Sequence, residues 1–191
     1  MNYKNITDIL QDEWNIWDFF SVVFWYRDVG IFSFYGIFDF EFFNSNIKLK
    51  NNRKDILIDP EYISDNPKYL KAIKTIKTFL NKNYEDYDFA HWIRGLFYIY
   101  KKSSKNKVIN LLEKYDDPME TLEWWRDLWL LLNFPKCCVK QFYSEKIKSE
   151  FLTKLLLDKR FFHIPFAPCK AECWEKWLED YSEIMDKLKE E

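Results

Sequence analysis

Glycine is scarce in this sequence, and its scarcity limits the folds that the chain can adopt. Only three glycines and six prolines occur among 191 residues. Tight hairpin turns draw heavily on both residue types, so a chain of many short strands would need more of them. Helix interiors need neither residue. The composition therefore predicts a mainly α protein, folded as a compact multi-helix domain.

Apolar residues recur at three- and four-residue steps in several segments, as they do on one face of an α-helix. Proline at position 67 suits the first turn of a helix that Asn66 caps. Asp117, Pro118 and Glu120 form a capping-box pattern at another predicted start. The helices are expected over about Ile6 to Asp28, Pro67 to Leu80, Asp86 to Tyr100, Asn106 to Lys114, Pro118 to Leu132, Pro135 to Asp158 and Cys169 to Lys189.

The segment from residue 31 to residue 43 is mostly aromatic, and Phe38, Phe40 and Phe42 alternate within it. Such a segment fits either a short strand or a buried irregular stretch, so we expect one or the other near residues 31–58. The polar stretch near Asn51 is the sharpest change in composition. We predict one helical domain over residues 1–191, in which residues 1–55 are a candidate N-terminal subdomain and residues 133–191 form a cysteine-containing C-terminal region.

Charge and hydropathy argue against a membrane partner and against nucleic acid. The net charge is -2 and the isoelectric point is near 5.8, which gives no overall attraction for anionic surfaces. The N-terminal segment lacks the basic-then-apolar order of a signal peptide. The most apolar stretch, from Ile16 to Phe43, never reaches the roughly 20 uninterrupted apolar residues of a membrane span. We expect a soluble, cytoplasmic protein. The charged residues that interrupt this stretch are Asp18, Arg27, Asp28, Asp39 and Glu41.

All four cysteines lie in the C-terminal region, and each pair closely follows a proline that we expect to begin a helix. Backbone N–H groups at a helix N-terminus stabilise thiolates. Thiolates and imidazoles are the groups that bind zinc, and thiolates hold iron–sulfur clusters. We therefore predict a zinc or iron–sulfur site formed by Cys137, Cys138, Cys169, Cys173 and His163. If the site exists, at least three sulfurs should lie about 4 Å apart.

The ligand set has alternatives. Adjacent residues point about 100° apart on a helix, so Cys137 and Cys138 share one ion only if Cys137 lies in the non-helical cap. A set of Cys138, Cys169 and Cys173 completed by His163 is equally consistent with the sequence. Cysteine also packs well as a small hydrophobic residue, and a disulfide or redox pair is a further alternative.

The motif Phe-Pro-Lys-Cys-Cys-x₃-Phe at residues 134–142, followed by His163 and by Pro-Cys-x₃-Cys at residues 168–173, resembles a signature of a small, mostly archaeal protein family. The similarity covers about Asn133 to Trp177. The spacing between His163 and Cys169 departs from the family pattern. No activity is established for that family, so the resemblance implies a common unit and no substrate.

The sequence contains no phosphate-binding glycine loop, no G-x-S-x-G elbow and no H-E-x-x-H motif, and it therefore assigns no catalytic residue. Asp88 and His91, three residues apart on an expected helix, predict a surface contact.

The tryptophan pairs Trp14/Trp17 and Trp124/Trp125 predict core packing. Exposed aromatic residues would instead mark a protein-binding surface. The alternative to a metal-binding protein is therefore a non-catalytic interaction or scaffold protein with inert core cysteines.

A remote further alternative is an RNA-associated protein. Lys68, Lys71, Lys74 and Lys77 recur every three residues, and such a series either contacts phosphates or forms a solvated helix face. The acidic overall balance favours the solvated face.

We predict that RNA binds weakly and that binding disappears as salt rises, because lysine–phosphate attraction depends on counterion release. Fluorescence anisotropy with a labelled RNA across a salt series measures this. Sub-micromolar affinity at physiological salt that survives Lys71→Ala and Lys74→Ala would contradict both the weak binding and the choice of residues.

Overall fold

Seven α-helices and one three-stranded sheet make up the part of the chain that the computed structural model describes, which is residues 3–34, 57–92, 96–115, 121–143 and 168–190. The predicted mainly α class is confirmed. The helices are α1 (Lys4–Leu10), α2 (Glu13–Val23), α3 (Pro67–Asn83), α4 (Lys105–Lys114), α5 (Leu122–Leu131), α6 (Lys136–Tyr143) and α7 (Ala171–Lys189), and the strands are β1 (Val29–Ser33), β2 (Tyr87–His91) and β3 (Leu96–Lys101).

Of the two helix starts that were predicted from a capping signal, the one at Pro67 is confirmed. The Asn66 side chain accepts hydrogen bonds from the N–H groups of Lys68 and Tyr69 at the start of α3. The start of α5 differs from its prediction, since the helix begins at Leu122 and Thr121 caps it by accepting from Trp124 N–H. Asp117 and Pro118 lie outside the described residues. The helix ends at Leu131, before Pro135 as expected.

The single helix expected over Ile6 to Asp28 is wrong. The chain forms α1 and α2, separated at Gln11, whose φ of 61° interrupts the helical backbone. Asp12 then caps α2, because its side chain accepts a hydrogen bond from the N–H of Asn15 at 3.0 Å. The apolar residues continue across the break at nearly helical spacing, so the periodicity concealed it. Helix α2 ends at Val23, and Trp25 follows with a φ of 70°.

The helix expected over Asp86 to Tyr100 is also wrong, because this segment contains β2 and β3. Strand β3 lies in the middle of the antiparallel sheet, with β1 on one side and β2 on the other. Its four central residues, Phe97 to Tyr100, are all buried. A strand covered on both faces has a continuous apolar run instead of an alternating one, so the sequence lacked the period of two that indicates a strand.

Helix α2 packs across β1 and β3 and forms the centre of the core. Phe19 of α2 meets Phe32 of β1 edge to face, with ring centroids 5.5 Å apart. The two elements approach so closely at Gly30 that a Cβ atom there would lie 2.7 Å from the backbone oxygen of Asp18. Strand β1 begins the aromatic segment in which we expected a strand or an irregular stretch; residues 35–56 of that segment lie outside the described residues.

The tryptophans predicted to pack in the core do so where the structure describes their side chains. Trp17 and Trp124 are buried, and Trp125 is half-buried against the core. Among the described residues, the most exposed large aromatic side chains are Trp25 and Tyr62, at 77% and 83%. None of the described helices has the length and apolarity to cross a membrane.

A buried ion pair joins α2 to the segment that follows it. Arg27 donates to Asp18 Oδ1 at 2.6 Å and to Ser21 Oγ at 2.6 Å. Its guanidinium carbon lies 3.9 Å from the centroid of the Trp17 ring. Burial raises the pKa of Asp18 from 3.8 to about 6, although Arg27 acts in the opposite direction.

We predict that raising the pH from about 4 to about 7 lowers the free energy of unfolding of the wild type, relative to Asp18→Asn, by about 2 kcal/mol. The folded state holds a proton on Asp18 up to about pH 6, whereas the unfolded state loses it near 3.8, so deprotonation weakens the fold. Urea unfolding of both proteins across this range measures the difference. Parallel pH profiles of the two proteins would contradict the prediction.

Candidate metal centre

Helix α6 supplies two of the four cysteines. It begins directly after Pro135, whose carbonyl accepts the N–H groups of Cys138 at 2.9 Å and Val139 at 3.1 Å. Cys137 and Cys138 therefore both lie in the first helical turn, and Cys137 does not lie in a non-helical cap as the single-ion arrangement was expected to require. The two sulfurs are nevertheless only 4.0 Å apart, so adjacent positions in the first turn do not keep them from sharing one site.

Helix α7 supplies the other two. Cys169 lies in a bend before the helix begins at Ala171, and Cys173 lies in its first turn. Because Cys169 precedes the helix, the four-residue spacing within a helix does not apply to this pair, but the two sulfurs lie 3.9 Å apart. Lys170 occupies the N-cap position without a capping hydrogen bond from its side chain. The two helix N-termini thus meet at the cysteines.

The four sulfur atoms form one cluster. Cys137 Sγ lies 3.6 Å from Cys173 Sγ, and Cys138 Sγ lies 3.6 Å from Cys169 Sγ. Cys169 and Cys173 are 3.9 Å apart. All four sulfurs lie within 4.8 Å of one another. The expected convergence of at least three sulfurs is therefore confirmed, and it includes the fourth.

The cysteines differ in their surroundings. Cys138 is 2% exposed, Cys169 and Cys173 are half-buried, and Cys137 is exposed. The backbone N–H of Cys169 donates to Cys138 Sγ at 3.4 Å, the kind of amide contact that supports thiolate ligands in metal sites. Cys138 is therefore the buried member of the cluster. Cys137 and Cys173 line a surface cleft, and we call these two the outward half of the cluster.

The thiols also differ in acidity. Burial raises the pKa of Cys138 far above its usual range. Burial, with a hydrogen bond to Cys137, raises the pKa of Cys173 to about 11. The pKa of Cys137 is lowered, since hydrogen bonds from the other three thiols outweigh its slight burial. Burial thus disfavours the thiolate form at Cys138 and Cys173, whereas hydrogen bonds favour it at Cys137.

Two of the alternatives from the sequence are not favoured by this geometry. All four cysteines are free thiols, and their separations of 3.6 Å or more exceed the roughly 2.05 Å of a disulfide bond. Inert core packing does not account for Cys137, which is exposed, although Cys169 and Cys173 pack against the core and Cys138 lies within it. His163, the fifth predicted ligand, lies outside the described residues.

The donor set fits one tetrahedral ion. Ligands about 2.3 Å from zinc lie about 3.8 Å from one another in a regular tetrahedron. Four of the sulfur pairs are 3.6 to 4.0 Å apart. Sulfur ligands in tetrahedral geometry are typical of zinc and of iron–sulfur sites.

Aromatic packing holds α7 in position beside the cluster. Trp177, one turn after Cys173, packs on Trp17 of α2 with ring centroids 5.1 Å apart, and Trp174 stacks on Trp177 at 5.8 Å. Neither these tryptophans nor Arg27 was among the residues that the sequence predicted for the site. The four-residue spacing of Cys173 and Trp177, which puts both on one helix face, was the available signal.

The weaker candidates lie apart from the cysteines. His91 is in β2 and fully buried, which contradicts the expected surface contact with Asp88, and burial lowers its pKa to about 4. In the lysine series, Lys71 and Lys74 are exposed, whereas Lys77 forms ion pairs with Asp59 and Glu61 at 2.8 and 2.9 Å.

No protein-family model matches the chain, and no curated protein or solved structure shows significant similarity to it. The function is therefore inferred from the geometry of the four cysteines.

Proposed function

We propose that this protein binds one zinc ion through Cys137, Cys138, Cys169 and Cys173, and that the ion fastens the N-terminus of α7 to the N-terminus of α6. The observation that carries the proposal is the convergence of four free thiols within 4.8 Å. Four thiolates complete a tetrahedral zinc site and leave no position open for a water or a substrate, which is the pattern of structural zinc.

A single ion is favoured over an iron–sulfur cluster. The cysteines of a cluster are distributed over two or four irons, so sulfurs on different irons lie farther apart than ligands of one ion. The measured sulfur separations match one ion instead. Such a site needs reduced thiols, so the proposal includes a reducing compartment such as the cytoplasm. It also assigns a role to the unit from Asn133 to Trp177 that resembles the archaeal family.

We predict one zinc ion per chain in protein purified under reducing conditions, and fewer after replacement of any cysteine by serine. Elemental analysis measures the stoichiometry. Cobalt replacement provides a second readout, because tetrahedral thiolate-bound Co²⁺ absorbs strongly in the visible and near ultraviolet.

The matched control is His163→Ala, which tests the alternative set of three cysteines and one histidine. We expect it to keep full zinc content, since the four sulfurs already complete a tetrahedron. Loss of zinc from His163→Ala would contradict the four-cysteine set and would show that His163 takes the place of one cysteine as a ligand. Iron in place of zinc would keep the ligand set and change the metal. Absence of any bound metal would refute the site.

We also predict that Cys173→Ala and Cys138→Ala each lower the thermal midpoint by about 6 to 12 °C, the equivalent of about 3 kcal/mol in a chain of this length. Loss of one thiolate releases the ion together with the folding free energy of its binding. Differential scanning calorimetry, with and without a strong chelator, measures both effects. The chelator should lower the midpoint of the wild type and leave that of the variants unchanged.

Leu130→Val is the control for a small loss of apolar volume, because Leu130 of α5 is 40% exposed. It should melt within about 2 °C of the wild type. If both cysteine variants behave like this control, the cysteines are inert. The scaffold alternative would then be favoured, with exposed Trp25 and Tyr62 as the first residues to test for partner binding.

A further inference from the structure

A cleft of about 550 Å³ opens beside the outward half of the cysteine cluster. Cys137 and Cys173 line it, whereas Cys138 lies almost completely buried behind them. Trp17 and Trp177 form part of its apolar wall. In the proposed zinc site, the four thiolates therefore complete the coordination of the ion, but small molecules can reach two of the sulfurs from the cleft.

The charged residues that line the cleft are mainly cationic, although Glu172 and Asp180 also line it. Lys136, Lys170 and Lys176 line it and are exposed. Lys136 precedes Cys137 in the chain. Lys176 follows Cys173 by three residues, so Lys176 and Cys173 share a side of α7. Lys170 also pairs with Glu172 at 3.8 Å. The cleft thus combines a sulfur, an apolar wall and cationic side chains within the volume of a small molecule.

A thiolate bound to zinc with three others keeps nucleophilic character. Four thiolates and one divalent ion carry a net charge of -2, so the ion does not neutralise them. The thiolate is the reactive form of cysteine, and access then decides which sulfur reacts. Cys138 is shielded by burial and accepts the Cys169 amide, whereas Cys137 is exposed in the cleft.

We propose that Cys137 is an alkyl acceptor for a small donor that enters this cleft and carries an anionic leaving group. A lone pair of Cys137 Sγ forms a carbon–sulfur bond, while the bond from that carbon to the leaving group breaks. The leaving group departs with the bonding electrons as an anion beside Lys136, Lys170 and Lys176. Cys137 becomes a thioether, and the net charge of the site changes from -2 to -1. This inference rests on the proposed zinc site.

The test uses methyl methanesulfonate, a small methyl donor that releases an anion, on zinc-loaded protein. Zinc content is measured first, and the methylated cysteine is then identified by peptide mass spectrometry over time. We expect Cys137 to be methylated at least about tenfold faster than Cys138 or Cys169, since reaction follows thiolate access.

The cationic rim is tested by Lys136→Gln combined with Lys170→Gln and Lys176→Gln. This variant should slow methylation of Cys137 about threefold, the scale of exposed charge interactions. Lys140→Gln is the matched control, because Lys140 is an exposed lysine of α6 that does not line this cleft. It should leave the rate unchanged.

The outcomes separate the two proposals. Protein without zinc would refute the metal site and this inference with it. Protein with one zinc ion, in which the methyl group is distributed evenly or appears first on Cys138 or Cys169, would overturn the inference alone. Equal rates in the triple-lysine variant and in Lys140→Gln would refute the role that the proposal assigns to Lys136, Lys170 and Lys176 beside the leaving group.

Discussion

The buried guanidinium of Arg27 connects the parts of the structure on which the cysteine cluster depends. It binds Asp18 and Ser21 of α2 and reaches the backbone carbonyl of Leu132, between α5 and α6. Its flat face lies on Trp17. A buried ion pair adds little net stability by itself, because desolvation offsets the attraction. Its contribution is to orient the groups around it, since a guanidinium with hydrogen-bond partners on several sides permits few other arrangements of its neighbours.

Both cysteine-bearing helices are positioned from this centre. The Leu132 carbonyl, to which Arg27 donates, lies just before Pro135, where α6 begins. On the other side, Trp17 carries Trp177 of α7. Helix α7 is therefore placed by aromatic packing one turn beyond Cys173, and α6 is placed by its connection to α5. The sulfurs are brought together by packing on α2, so a metal would bind ligands that are already assembled and lose less entropy on binding.

The sequence predicted the parts of this structure that local chemistry determines. Asn66 and Pro67 identified the start of α3, and Pro135 identified the start of α6. Pro168 does not begin α7, which starts at Ala171. The sequence did not predict the features that depend on contacts between residues far apart in the chain. Strand β3 is recognisable as a strand only when β1 and β2 flank it. Arg27, which interrupts an apolar stretch, is informative only once Asp18 and Trp17 surround it.

The site illustrates the same division. The convergence of the cysteines follows from two helix starts in one domain, which the sequence contains. The sequence did not predict that Cys137 and Cys138 could both lie in the first helical turn and still share one site. The expected angle of about 100° between neighbouring residues describes the backbone and leaves the side-chain torsions open. The sulfurs on these adjacent residues lie 4.0 Å apart.

In the proposed zinc site, four thiolates and one divalent ion would carry a net charge of -2. Such a charge placed wholly inside the protein would carry a large desolvation cost. Here Cys138 takes the interior position, where the amide N–H of Cys169 donates to its sulfur. Cys137 and Cys173 face a cleft with lysines at its rim, where water and cations offset the charge. Because the charge must be solvated on one side, the cluster cannot be fully enclosed, and the same opening gives small molecules access to Cys137.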